Sequence, residues 1–178
     1  MTRKIPIVVL FVLAVLPPGV VGAQEMSGMP AASCTKPAEL PAALAGWTAK
    51  TPLASATDAS RMDAAMLAIG QGASVTLHPT REVHYVSQPE KPGGSVAHGG
   101  MVAVAISASG TYQVSLDSGA WVDVLKDGTA VISSAHAPGP ACTGIRKTVR
   151  FSLTPGRYAI QLSANAAPTI AVMVSQVP

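Results

Sequence analysis

The chain has 178 residues, is 48% hydrophobic but only 4% aromatic, and carries a formal net charge of +3. That length suits one domain with a leader. Twelve Lys and Arg scattered against nine Asp and Glu exclude the basic stripe needed for nucleic acid or an anionic lipid surface.

Residues 1–23 read as a secretory signal peptide. Arg3 and Lys4 give a positive start, Ile5 to Leu16 form an apolar run broken only by Pro6, and Val21-Gly22-Ala23 offers a small-residue cleavage site. The run is too short to span a membrane. No cysteine follows the break, so no lipid anchor is expected, and the mature chain begins near Gln24 in the periplasm or outside the cell. Cleavage removes Arg3 and Lys4, leaving ten basic against nine acidic residues, about +1.

Residues 24–57 are rich in Ala, Pro, Ser and Thr, which predicts an extended or turn-rich arm, with Trp47 anchoring it to the core. The sandwich domain is expected over 58–178. Residues 58–70 read either as a short helix with Asp58 as N-cap and Gly70 as its end, or as a strand over Met66 to Ile69.

From Ser74 onward the period is two. Apolar alternation marks strands at Val75–Leu77, Val83–Val86, Tyr112–Leu116, Trp121–Leu125, Val149–Leu153, Tyr158–Leu162 and Ile170–Val174, while Met101–Ile106 is a strand apolar on both faces and Ala130–Ile132 is the apolar run that leaves a turn. Asp127-Gly128 is a hairpin turn. Eight or nine such strands predict an all-β fold, an antiparallel β-sandwich or jelly roll with at most one short helix.

Cys34 and Cys142 are an even pair in a chain expected to meet an oxidising compartment, which favours a disulfide. It closes a loop of about 108 residues, worth on the order of 4–5 kcal/mol in the chain-entropy model. Free thiols or a reactive thiol are the alternatives; the latter needs a lowered pKa, and only Arg146 and Lys147 are close in sequence.

Two loops stand out as ligand-binding candidates. Pro89-Glu90-Lys91-Pro92-Gly93-Gly94-Ser95 is a stiff turn that projects Lys91, with Gly93, Gly94 and Ser95 able to form a backbone nest. Its structural reading is an Ω-like loop. Residues Gly139 to Lys147 present Arg146 and Lys147 either as a carboxylate clamp or as solvated charges guarding a sheet edge. Trp121 shares a strand face with Asp123; exposed, it stacks on a sugar ring, and buried, it packs. No Gly-x-Ser-x-Gly elbow is present, and Asp123 and Asp127 do not define a glycosidase pair, so no catalytic residue is assigned.

His78, Glu82, His84 and His98 are the candidate metal ligands, suited to iron, copper or zinc, although these three His, like His136, fall in or beside loops where solvated His is ordinary. Met26 and Met29 add a faint thioether pair suited to Cu(I).

The unit Gly110-Thr111-Tyr112-Gln113-Val114-Ser115-Leu116 is echoed by Gly156-Arg157-Tyr158-Ala159-Ile160-Gln161-Leu162. These strands resemble the G-x-Y-x-[VI]-x-L strands of secreted pre-peptidase C-terminal and carbohydrate-binding modules. More widely, Leu77-His78-Pro79, Pro89 to Ser95, Gly110-Thr111-Tyr112, Trp121-Val122-Asp123-Val124 and Cys142 to Lys147 resemble a family of short exported bacterial proteins often labelled homogentisate 1,2-dioxygenase. That label implies a metal-dependent oxidoreductase with Fe(II) on two His and one Glu; the cupin motif that carries those ligands is not in this sequence. The residues themselves favour a non-catalytic binding or accessory protein for a small molecule, glycan or protein partner, with no cofactor. The Fe(II)- or Cu-dependent dioxygenase is the alternative.

Overall fold

The computed structural model describes residues 34–36 and 38–178; the leader and the Met26–Met29 pair lie outside them. Among the described residues eleven strands are formed: β1 (Lys50–Ala54), β2 (Gly72–Thr76), β3 (His78–Pro79), β4 (His98–Ile106), β5 (Gly110–Leu116), β6 (Trp121–Lys126), β7 (Thr129–Val131), β8 (Ala135–Pro138), β9 (Lys147–Leu153), β10 (Gly156–Asn165) and β11 (Thr169–Val177). One sheet has the order β1-β2-β11-β5-β9-β8 and the other β3-β4-β10-β6-β7. Every pairing is antiparallel except β1 with β2, which is parallel. The fold is an all-β sandwich.

Alternation builds its core. Val114, Leu116, Val149, Phe151, Val172 and Val174 of the first sheet belong to one buried cluster with Val102, Val104, Val122, Val124, Ile160 and Leu162 of the second. Burying each such side chain is worth about 1.5–3 kcal/mol, and a one-residue slip in register would turn the whole row to solvent. Asp127 (φ 50°) and Gly128 (φ 78°) join β6 to β7 in the left-handed pair that a tight hairpin needs. The sequence echo is structural: Tyr112 donates to the carbonyl of Ala108 at 2.9 Å, and Tyr158 to that of Thr154 at 2.9 Å. Each tyrosine ties its strand to the turn four residues upstream.

The differences from expectation lie in the short elements. Lys50–Ala54, inside the predicted arm, is strand β1, and Ala42–Trp47 is a 3₁₀ helix. Residues 58–70 divide between the two readings. Asp58 caps a 3₁₀ helix over Ala59–Ala64 by accepting from Ser60 N, and Met66 then forms an isolated bridge to Ala103. No α-helix occurs among the described residues, and none of their helices is long and apolar enough to cross a membrane. Val83–Val86 is not a strand; its alternation serves to bury Val83 beside Met101 and to aim the Tyr85 hydroxyl at the carbonyl of Leu162, 3.0 Å away.

Both outer faces are partly covered. Ala56, Ala65 and Val83 pack on Met101 over the second sheet, while Leu44, Trp47 and Ile145 pack on Ala171 and Met173 over the first. Trp47 is 2% exposed, and its indole N–H donates to the carbonyl of Thr143 at 3.0 Å. Cys34 and Cys142 are disulfide-bonded, with Cα atoms 5.4 Å apart, fastening the start of the arm to the same loop. Of the four edge strands, β1, β3 and β8 each contain a proline (Pro52, Pro79 and Pro138), and β7 has three residues.

Candidate functional site

The cross-strand register of β6 with β10 sets the site. Trp121 pairs with Ser163 and Asp123 with Gln161, and both pairs face away from the core. Two bonds fasten Ser87 to Gln161: the Ser87 amide donates to Oε1 at 3.1 Å, and Nε2 donates to the Ser87 carbonyl at 2.8 Å. Ser163 Oγ donates to the carbonyl of Lys91 at 2.8 Å. The stiff loop is thereby laid across β10 so that Lys91 reaches β6.

Gly93 completes this docking. Its φ is +89°, and a Cβ there would come within 2.6 Å of Ala97 Cβ and 2.8 Å of Ala164 Cα. Only glycine lets the loop turn this close to β10. At Gly94, by contrast, a Cβ meets open space. Ser95 is exposed at the loop tip.

Lys91 Nζ lies 4.8 Å from the centroid of the Trp121 ring and Lys147 Nζ 5.4 Å from it. The electron-rich indole face attracts both cations. Lys147 is further held by donating to the carbonyl of Ala120 at 2.9 Å. Its partial burial and the charge of Lys91 push its ammonium pKa below the ordinary value, against the opposing pull of Asp123. Asp123 Oδ1 accepts from the Trp121 indole N–H at 2.9 Å, while its buried Oδ2 has no hydrogen-bond partner. Burial raises the Asp123 pKa, helped by the charge of Glu90, while the indole bond and Lys147 pull the other way. Nearby Tyr85 is pushed up to about 12 by burial and then by the Asp123 charge.

Two small hollows flank this group. One, of about 160 Å³, is lined by Trp121, Val122, Ser133, His136, Lys147 and Val149. The other, of about 210 Å³, has Asp123, Glu90, Ser87, Gln88 and Gln161 in its wall. Donors and acceptors thus converge around one half-buried aromatic ring.

The predicted residues are therefore divided. Lys91, Trp121 and Lys147 come together, with Gly93 shaping the loop that carries the first. Arg146 does not join them. Successive residues at the start of β9 point to opposite sides, and its exposed guanidinium lies over Gly119 in a separate hollow of about 550 Å³ with Asp117 and Asn165.

The four candidate metal ligands are also not gathered; among the described residues no three His, Cys, Asp or Glu side chains are placed to share an ion. His78 pairs with Gly99 and Pro79 with His98, so the pleat sends His78 and His98 to opposite faces. His78 Nε2 lies 3.2 Å from the carbonyl of Ser55, and Glu82 forms an exposed ion pair with Arg81 at 3.4 Å. His84 is exposed.

Glu90 belongs to the candidate loop Pro89–Ser95 and His136 to the expected binding loop 136–147, whereas Gln161 and Ser163 are site residues that sequence reasoning does not reach. Their signal lies in the β6–β10 register, which no local pattern reveals. Comparison with protein-family models and with curated proteins finds no match for this chain.

Proposed function

We propose that this chain is an exported, non-catalytic binding protein whose ligand site is the Trp121 cluster, and that the ligand is a sugar or short glycan. The observation that carries the reading is the single indole held edge-on by Asp123 with Lys91 and Lys147 at its ring. A polyhydroxylated ring presents an apolar C–H face to an aromatic platform and donors and acceptors around its rim. Lys91 is exposed, whereas Lys147 is held by donating to the carbonyl of Ala120. Glu90 supplies an acceptor, and the lysines and His136 supply donors. Cations and carboxylates in near balance favour a hydroxyl-rich ligand over a simple ion.

Titration of the disulfide-bonded protein with short neutral and acidic oligosaccharides tests this by following the Trp121 indole N–H resonance. Saturable movement, weakened in Lys91→Ala but retained in Arg146→Ala, supports the reading. An unmoved indole with every oligosaccharide overturns it. Stoichiometric iron or copper in the purified protein would replace it with a metal-dependent dioxygenase.

A further inference from the structure

The hollow that holds Lys147 draws on both sheets. Its walls are Trp121 and Val122 of β6, Ser133 from the link between β7 and β8, His136 of β8, and Lys147 and Val149 of β9. Strand register explains the grouping. Val149 sits opposite His136, and Lys147, two residues earlier, shares the Val149 side of its strand. Val122 and Val149 belong to the buried core, so the floor is apolar, and Lys147 is the one ammonium in the wall.

Lys147 is held there without an ion pair among the described residues. Its bond to the Ala120 carbonyl uses one of three N–H donors and fixes the amine beside the Trp121 ring. Four titratable groups surround it: Lys91 over the same ring, Asp123 on β6, His136 in the hollow wall, and Glu90, which acts on Asp123. Partial burial and the charge of Lys91 favour the neutral amine, and Asp123 opposes them. A lysine partly desolvated beside a second cation is the setting in which its amine becomes a nucleophile. The hollow holds about 160 Å³. A cavity of about 150 Å³ takes benzene, so its occupant is a molecule of that size and not an oligosaccharide.

We infer that Lys147 is a nucleophilic amine that captures small apolar aldehydes in this hollow as imines. The neutral amine adds to the carbonyl carbon, the carbonyl π pair moves to oxygen, and a proton passes from nitrogen to that oxygen to give a carbinolamine. A second proton then reaches the hydroxyl, which leaves as water while the nitrogen lone pair forms the C=N bond and nitrogen gives up its remaining proton. Amine and aldehyde lose one water between them, nothing is oxidised or reduced, and hydrolysis reverses the capture. His136 and Ser133 in the wall are the groups that can carry these protons. The inference goes beyond the glycan reading and does not rest on it, because it needs the Lys147 amine and not a sugar stacked on Trp121.

The test treats the disulfide-bonded protein at neutral pH with butanal and cyanoborohydride, which reduces the imine to a stable secondary amine, and maps the added mass by peptide. Lys147 should be labelled several-fold faster than Lys36, Lys50, Lys91 or Lys126. The bulkier 1-naphthaldehyde should lose that preference. Lys91→Ala should slow labelling of Lys147, because the cation that favours its neutral form is gone, and Asp123→Asn should speed it. A change in exposure alone would run the other way for Lys91→Ala, since the substitution uncovers the Trp121 ring. Lys147→Arg, which keeps the charge, should remove the fast-labelled site; if that variant fails to fold, the wild-type map and the Lys91→Ala rate decide the matter. Even labelling of all lysines, equal preference for Lys147 with both aldehydes, or an unchanged or faster rate in Lys91→Ala would each overturn the assignment.

Discussion

Asp123 is the residue whose chemistry is most dependent on its place. Its pKa is raised by burial, so between its ordinary value and its folded value the native state binds more protons than the unfolded chain. The sign follows: native stability contributed here is present at low pH and declines as pH rises through that window. Asp123→Asn removes the titration while its side-chain oxygen still accepts from the indole. The melting temperature of the variant relative to wild type should therefore climb as pH rises from acid, where the carboxyl is protonated in both states, to neutral pH. A gap that does not change with pH would show that the carboxyl titrates as an exposed one. Trp121 and Asp123 were legible together, because alternation puts residues two apart on one face. That Lys91 joins them was not, since a loop's landing place depends on Gln161 and Ser163 from a distant strand.

The loop 87–95 acts as one element. Gly93→Ala should cost about 1–2 kcal/mol from the left-handed backbone alone, and the clash with Ala97 and Ala164 adds to it. Gly94→Ala, with open space around its Cβ, should leave thermal stability nearly unchanged. Paired melting curves check this; equal effects would mean that the loop is not seated on β10. The longer strands were readable because each buries one face and so imposes strict alternation. The short ones were not. β1 reads as irregular because it sits at an edge and holds Pro52, and β8 is exposed throughout, so neither carries an apolar period. Val83–Val86 shows the converse error, a period of two produced by packing without a strand ladder.

At the scale of the molecule, the disulfide and Trp47 hold the arm across the outer face of the first sheet. Reduction releases a closure of 108 residues and should lower stability by about 4–5 kcal/mol on the chain-entropy account. Intact mass after alkylation, with and without reductant, together with urea denaturation of both forms, measures it; two alkylatable thiols in the unreduced, unfolded protein would refute the bond. The prolines of the edge strands bear on a different property, the behaviour of the protein at high concentration. A β-edge offers free amide donors to any neighbouring chain, and a proline deletes one donor from that row. Replacing Pro52 and Pro138 by Val completes the outer rows of β1 and β8, the two ends of one sheet. The doubly substituted protein should fold as before yet seed fibrillar assemblies on storage, visible as thioflavin binding that the parent chain lacks. The prolines would then be what keeps a sheet with two open ends finite.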